Sequence, residues 1–278
     1  MKYKIIADSS CDVTKDLKTK LNVNLVPLRL IIEDKEFIDD KNLDLLSYIE
    51  TMKDSSKAPK TACPSPQDFL KHYEGEGDIF VVTLSKELSG TYNSAVVARE
   101  MYLEENSNKS IHVFNSKSAS VGETLIVLKI NELAQMGLSF SEIVAEVNEY
   151  IDNLDTLFLL ESLEHLAKAG RLKSYVAVIA SLLKIKPIMG ATKEGTIRLI
   201  HKVRGYKKAF IKLVDSIGEI EKNFSKRILA IAHCNCLERA KILKEKVAQK
   251  YNFKDILIVP MAGLSSTYAD DGGIVIAF

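Results

Sequence analysis

Apolar runs alternate with segments of helical periodicity through the first half of the sequence, and this alternation constrains the fold more than any other feature. The runs "YKIIAD", "DIFVVTL" and "SIHVFNS" are predicted strands, and the last two are each followed by a helical segment. A further run, "VNLVPLRLII", is predicted to form a second strand. Strand–helix repetition of this kind favours a mostly parallel sheet with helices on both faces.

Two helix starts can be located from capping residues. In "PSPQDFLKHYE", Ser65 is a suitable N-cap, Pro66 suits the first turn, and Asp68 complements the helix dipole. In "SFSEIVAEVNEYIDNL", Ser139 and Glu142 have the spacing of a capping box. The segment "LDLLSYIETM" also has helical spacing. These helices fill the intervals between the predicted strands.

The second half of the sequence has a different order of elements. A strand runs into a short helix in "TLFLLESLEHLAKAGRL", and "YVAVIASLL" is apolar on every side, which indicates a buried helix or a cavity wall. A hairpin with "KEG" as its turn is predicted in "KPIMGATKEGTIRLIHKV". A helix in "YKKAFIKLVDSIGEIEKNF" precedes the strand "RILAIAH", and a helix in "LERAKILKEKVAQKY" precedes the strands "DILIVPM" and "GIVIAF". The glycine-containing "STYADDGG" is predicted to be a turn between these last two strands. This order indicates α+β character.

The length of the chain and the change of pattern together predict two domains. The 278 residues exceed what one average core needs. We expect an N-terminal α/β domain over residues 1–157, with a mostly parallel sheet, and a C-terminal α+β domain over residues 158–278.

Composition excludes several classes of partner. The chain has 38 basic and 37 acidic residues, with no block of like charge, so nucleic acid is not an expected ligand. No run of about 18 apolar residues and no signal core is evident, so we expect a cytoplasmic protein without stable membrane insertion. Neither a dinucleotide fingerprint nor a Walker loop is present, and the cysteines lack zinc-site spacing. We therefore expect no cofactor and no metal.

Hydroxyl-bearing residues cluster where three predicted strands end. The three junctions are "ADSSCD", "LSKELSGTYNS" and "FNSKSASVGE". In an open α/β sheet, ligands bind at the carboxyl ends of the strands, where helix N-termini offer free N–H groups to an anion. Each junction alone could equally be a helix cap or a turn. Three of them at one sheet edge indicate a shared site for a carboxylate or phosphate.

A nucleophilic serine is the catalytic alternative for these junctions. The segment "LSGTYNS" lacks the Gly-x-Ser-x-Gly elbow, and none of the five histidines lies in a diagnostic motif. A triad can nevertheless be assembled from distant positions. A serine-dependent acyl hydrolase and a sensor of another small anion therefore remain alternatives to a non-catalytic binding protein.

Several motifs together resemble the DegV family, which includes the fatty-acid-binding subunits of the bacterial fatty acid kinase. They are "DSSCD", "KTACPSPQDF", "TLSKELSGTYNSA", "NSKSASVG", "LEHLAKAGRL", "LLKIKPIM", "KEGTI", "AHCNCLERA" and "YADDGGIVIAF". The resemblance extends over the whole chain. It implies two domains with one long-chain fatty acid buried between them, and a kinase as a partner.

The resemblance also implies roles for individual residues. Thr61, Ser89 and Gly90 match the contacts to the carboxylate, and Arg171 matches an arginine that handles the acyl phosphate. Tyr268 stands where many relatives have a histidine, and a phenol can donate a hydrogen bond but cannot become positively charged. This departure puts the kinase-coupled role in question more than lipid binding. Four further pocket candidates come from the first and third junctions: Ser9, Ser10, Ser118 and Ser120.

Neutral hydroxyls suit a carboxylate that is bound rather than cleaved. A buried charge is costly unless it is well hydrogen-bonded, and serine and threonine donors supply those bonds without an attacking base beside them. The acyl chain would supply the affinity, because burying a C16 chain contributes about 11 kcal/mol before the costs of binding.

Overall fold

The structure is a computed structural model that describes residues 2–172 and 185–278. The strands of the first half are β1 (Tyr3–Asp8), β2 (Val23–Val26), β3 (Arg29–Ile32), β4 (Lys35–Ile38), β5 (Lys60–Ala62), β6 (Asp78–Thr83) and β7 (Ile111–Asn115). Its helices are α1 (Lys15–Leu21), α2 (Leu45–Asp54), α3 (Pro66–Tyr73), α4 (Thr91–Glu105), α5 (Val121–Gln135) and α6 (Phe140–Asp152).

The first sheet is parallel throughout, with strand order β2-β1-β6-β7. Successive residues of β1 face opposite sides, as the period of two requires: Ile5 packs with Phe80 and α5, whereas Ile6 packs with Phe69 of α3. Both faces of the sheet are therefore covered by helices. The predicted capping boxes are confirmed at Ser65 of α3 and Ser139 of α6.

The run "VNLVPLRLII" forms two strands instead of the single strand that we predicted. Val23–Val26 pairs with β1 in the parallel sheet, whereas Arg29–Ile32 joins a three-stranded antiparallel sheet of order β4-β3-β5. Pro27 lies between them, and proline has no N–H to donate to a sheet ladder, so the chain leaves the first sheet there.

The described part of the second half forms a mixed sheet of order β10-β9-β8-β13-β11-β12. Its strands are β8 (Thr156–Leu159), β9 (Ile185–Ala191), β10 (Ile197–Arg204), β11 (Ile228–His233), β12 (Asp255–Pro260) and β13 (Ile274–Ala277). Its helices are α7 (Glu164–Lys168), α8 (Tyr206–Ile220), α9 (Leu237–Lys250) and α10 (Gly263–Ala269). The pair β11–β12 is parallel and the other pairs are antiparallel. The predicted "KEG" hairpin is confirmed as β9–β10.

The α/β class is confirmed, with a parallel sheet in the first half and a mixed sheet in the second. The division into residues 1–157 and 158–278 stays a prediction, and its boundary falls inside β8, whose four residues all pair with β13. The predicted apolar helix "YVAVIASLL" lies outside the described residues. None of the described helices is long and apolar enough to cross a membrane.

The segment "STYADDGG" is not simply a turn, and in this respect the prediction was wrong. Its first residues belong to helix α10, which ends at Ala269, and the turn into β13 follows at Asp270 and Gly272, both with positive φ. The helix forms because its start is hydrogen-bonded to a carboxylate from the first half of the chain, at Asp39.

Candidate functional site

The three hydroxyl-rich junctions do meet at one edge of the first sheet. Strands β1, β6 and β7 are neighbours in the parallel sheet, so their carboxyl ends lie side by side. Backbone bonds join the junctions directly, because the N–H of Ser85 donates to the carbonyl of Ser118 at 2.8 Å. This edge faces the second half of the chain across a cavity.

The cavity has a volume of about 130 Å³ and is lined from both halves of the chain. Its apolar wall includes Leu28 and Leu84 from the first half and Phe158, Leu160 and Val275 from strands and loops of the second. Seven of the nine predicted site residues line it: Ser10, Thr61, Ser89, Ser118, Ser120, Arg171 and Tyr268.

Two predicted site residues lie elsewhere. Gly90 is the exposed N-cap of α4, and a Cβ at that position would lie 3.3 Å from the sulfur of Cys63. Ser9 is buried beside the sheet edge, where its hydroxyl donates to Asp39 and accepts the N–H of Leu28. Neither is among the residues that line the cavity in the described chain. The contact roles of all nine residues stay predictions.

Four of the lining residues form what we call the first polar group: Thr61, Ser89, Arg171 and Tyr268. The hydroxyls of Thr61 and Tyr268 lie 2.8 Å apart although 207 positions separate them in the sequence. The guanidinium carbon of Arg171 lies 6.0 Å from the centre of the Tyr268 ring. Two neutral hydroxyls and a permanent cation therefore face the same part of the cavity, which suits an anionic head group.

Backbone carbonyls orient the arginine of this group. Arg171 Nε donates to the carbonyl of Leu88 at 3.1 Å, and Nη1 donates to the carbonyl of Ala169 at 2.7 Å. Ser89, which follows Leu88, shares a hydrogen bond of 2.9 Å with Thr91 at the start of α4. Within residues 2–172 and 185–278, these bonds use two of the five N–H donors of the guanidinium.

A second polar group lines the cavity at the ends of β1 and β7. Ser118 and Thr156 share a hydrogen bond of 2.7 Å, and Ser120 donates to Asp12 at 2.5 Å. The hydroxyl of Ser10 accepts the N–H of Ser120 at 3.2 Å. Ser265 of α10 completes the group.

Sequence reasoning missed two members of the second polar group. Thr156 begins β8, and its position beside Ser118 depends on how the two sheets are placed, which no local pattern reports. Ser265 lies just before the predicted turn "STYADDGG", and we predicted no role for it. Lys117 and Thr196 also line the cavity, the first from the junction after β7 and the second from the β9–β10 hairpin.

Buried carboxyls stand behind the second polar group. Burial raises the pKa of Asp8 to about 7, although it accepts N–H bonds from Leu84 and Ser10. Burial likewise raises the pKa of Asp12 to about 7. Burial, followed by the charge of Asp8, raises the pKa of Glu123 well above its ordinary value, and neither of its oxygens has a hydrogen-bond partner among the described residues.

Among the described residues, the acidic side chains behind the cavity do not form a metal-binding group. No group of three or more His, Cys, Asp or Glu side chains suited to a metal ion occurs within residues 2–172 and 185–278. The described residues that line the cavity include no histidine, so they do not place a serine beside a histidine there. The arrangement is suited to holding an anion with an apolar tail.

Comparison with known proteins relates this arrangement to one family. The sequence model of the DegV family, described as uncharacterised proteins, matches residues 2–278. A DegV domain-containing protein of Streptococcus gordonii is 38% identical over 280 residues, which cover 100% of this chain and 99% of that protein.

Two solved structures share the fold over almost the whole chain. One is a DegV family protein from Ruminococcus gnavus refined with vaccenic acid, with 44% identity, a TM-score of 0.96 and coverage of 99% of both chains. The other is the Fatty Acid Kinase (Fak) B3 protein of Streptococcus pneumoniae loaded with linoleic acid. It has 35% identity, a TM-score of 0.90 and coverage of 100% of this chain and 99% of that one.

Proposed function

This chain belongs to the DegV family, and on that premise we propose that it binds one long-chain fatty acid in the cavity between its two halves and presents it to a kinase. The first polar group holds the carboxylate, and the apolar wall holds the acyl chain. The protein itself carries out no chemical step, and a kinase transfers the phosphoryl group that forms the acyl phosphate. The protein acts in the cytoplasm and requires no cofactor.

The observation that carries this proposal is the pairing of a hydroxyl-and-guanidinium group with an apolar wall in one cavity. Thr61 and Tyr268 supply hydrogen-bond donors for a carboxylate, and Arg171 places a permanent positive charge near them. Phe158, Leu160 and Val275 supply contacts for an alkyl chain. Related structures that contain vaccenic and linoleic acid support the same class of ligand.

Extraction of the purified protein with organic solvent, followed by mass spectrometry, tests the proposed function. We expect about one fatty acid per chain. A protein that yields no fatty acid and binds none in titration would contradict the proposal. Turnover of an acyl ester by the same preparation would support the hydrolase alternative instead.

Ser89→Ala is expected to weaken fatty acid binding by about 10- to 100-fold. A hydrogen bond to a charged group is worth about 1.5–3 kcal/mol, and Ser89 lines the cavity beside Arg171's carbonyl partner. The measurement is a direct titration of delipidated protein with oleate. Because Ser89 also bonds with Thr91 at the start of α4, the unfolding free energy must be measured in parallel.

Ser94→Ala is the matched control for Ser89→Ala. Ser94 lies in the first turn of α4, which begins two residues after Ser89, but it is not among the residues that line the cavity. We expect its oleate affinity to stay within about twofold of wild type, which is about 0.4 kcal/mol. If Ser89→Ala also retains wild-type affinity, the carboxylate does not bind at the start of α4.

Tyr268→Phe is expected to weaken oleate binding by about tenfold, because the variant loses a hydroxyl and leaves that of Thr61 without its partner. If the ring acts only as an apolar lid, the affinity will not change, since phenylalanine preserves the ring. Thr61→Val and the double variant complete a mutant cycle. We expect the two losses to be non-additive, because both remove the same hydroxyl pair.

A further inference from the structure

Helix α10 follows strand β12 in the second half of the chain, yet its first turn is bound to a carboxylate of the first half. Asp39, which follows β4, accepts the N–H of Gly263 on Oδ1 and the N–H of Leu264 on Oδ2, both at 2.8 Å. Free N–H groups at a helix start attract negative charge. The free N–H groups in the first turn of this helix therefore donate to a carboxylate that lies 224 positions away in the sequence.

The carboxylate of Asp39 is itself held in place. It is 6% exposed, and Ser9 donates to its Oδ2 at 2.8 Å. The hydroxyl of Ser9 in turn accepts the N–H of Leu28 at 3.0 Å. Three donors thus converge on Asp39, and one of them is anchored at the edge of the parallel sheet. This explains the location of Ser9, a predicted pocket residue that lies outside the cavity lining.

The helix and the carboxylate approach each other closely at Gly263. A Cβ at position 263 would lie 2.6 Å from Asp39 Oδ1 and 2.6 Å from Leu30 Cδ1. These distances are shorter than non-bonded contacts allow, so a side chain there would displace either the helix or the side chains of Asp39 and Leu30. Glycine at position 263 therefore permits the close contact between α10 and Asp39.

The position of α10 matters because the helix forms one wall of the cavity. Leu264, Ser265, Tyr268 and Ala269 all line it. Tyr268 reaches the hydroxyl of Thr61 at 2.8 Å, a distance that depends on how α10 is seated. Two other contacts tie the same helix to the first half: Asp12 accepts the N–H of Ala262, and Tyr48 shares a hydrogen bond with Thr267.

We propose that Asp39 is a positioning residue for ligand binding, which seats α10 on the first half of the chain so that Tyr268 and Leu264 face the bound molecule. The inference rests on the proposed function, since the ligand is taken to be a fatty acid. Asp39 acts through the helix and does not itself line the cavity.

The test compares Asp39→Asn with Asp40→Asn in the full-length, delipidated protein. Asparagine keeps one acceptor oxygen but turns an N–H₂ donor toward one of the two helix N–H groups. The contact between Asp39 and α10 therefore loses one hydrogen bond, while the side chain keeps its size. Asp40 is the matched control, because it is exposed and bonds only locally to Asn42. Two quantities are measured: oleate affinity and hydrogen exchange of the peptide that contains residues 263–269.

For Asp39→Asn we expect an oleate Kd raised at least about tenfold and exchange in α10 accelerated at least about tenfold. Exchange in β11 and β12 should stay within about twofold of wild type, because the described hydrogen bonds of the Asp39 side chain go to Ser9, Gly263 and Leu264 and not to those strands. Asp40→Asn should change neither quantity. Gly263→Ala should reproduce the Asp39→Asn result and replaces it if that variant does not fold.

Two outcomes would overturn the inference. One is accelerated exchange in α10 with an unchanged oleate Kd, because the position of the helix would then not control binding. The other is equal acceleration in α10, β11 and β12, because Asp39 would then stabilise the whole fold. Failure of the proposed function would give a different result, because wild-type protein would then bind no oleate. The difference in hydrogen exchange between wild type and Asp39→Asn would still show whether Asp39 holds α10 in place.

Discussion

Glu123→Gln is expected to raise the free energy of unfolding at pH 8 by at least about 2 kcal/mol and to leave it nearly unchanged at pH 4. Glu123 is fully buried in the first turn of α5, and neither carboxyl oxygen has a hydrogen-bond partner among the described residues. Burial and the charge of Asp8 raise its pKa well above the ordinary value. Glutamine has nearly the same shape and no charge to titrate.

The direction of the effect follows from proton linkage. The folded state keeps the proton of Glu123 when the unfolded state has already released it, so the folded state binds more protons above the ordinary pKa. Stability is therefore full below that pKa and falls as the pH rises toward the folded pKa, at about 1.4 kcal/mol per pH unit for one proton. Asp8 and Asp12, with pKa values raised by burial to about 7, add losses of the same sign between about pH 4 and 7.

Urea unfolding of delipidated protein between pH 4 and 8 measures this effect. Delipidation is needed because a ligand that binds only the folded state raises the measured free energy of unfolding. Glu146→Gln on α6 is the control, since Glu146 is exposed and its substitution should change stability by less than about 0.5 kcal/mol. Parallel stability curves for wild type and Glu123→Gln would show that Glu123 does not hold a proton in the folded state.

Arg171→Ala is expected to retain fatty acid through purification but to reduce acyl phosphate formation with a fatty acid kinase by at least about 100-fold. A guanidinium matches the geometry of phosphate oxygens and stays charged at any working pH. Arg171 lines the cavity near Tyr268 and is oriented by the carbonyls of Leu88 and Ala169. Hydroxyls of the first polar group would still hold the carboxylate in the variant.

A purely structural role for Arg171 would give a different pattern. Loss of its two bonds to carbonyls would then lower the unfolding free energy and the lipid content together, with phosphorylation per bound lipid unchanged. Arg198→Ala is the matched control, because Arg198 is an exposed residue of β10 outside the cavity lining. Normal phosphorylation of lipid-loaded Arg171→Ala would exclude the proposed role.

Local patterns predicted most of the elements of this fold. Continuous apolar runs marked β1, β6 and β7, because a strand buried on both faces excludes polar residues from its middle. Ser65 and Ser139 marked helix starts, because the N-cap contact spans only three residues. The shared sheet edge also followed from the sequence, since parallel strands joined by helices end on the same side.

The site was predictable only in part. Seven predicted residues line the cavity. Ser10, Ser89, Ser118 and Ser120 were indicated by their positions after predicted strands, whereas Thr61, Arg171 and Tyr268 came from the family resemblance. Glu123 was not foreseen, since an acid in a first helical turn is ordinarily exposed and favourable there. Asp39 was not foreseen either, because its helix partner lies 224 positions further along the chain.

The sequence by itself therefore determined the strands, the helix starts and the hydroxyl-rich edge, all of which depend on neighbours within a few residues. The tertiary structure alone decided that Pro27 separates strands of two different sheets, that residues 263–269 form a helix, and that Tyr268 meets Thr61. These features depend on contacts between segments that are distant in the sequence. Such contacts stabilise the fold only once those segments pack against each other. Sequence periodicity reports which face of a segment is buried, but not which segment buries it.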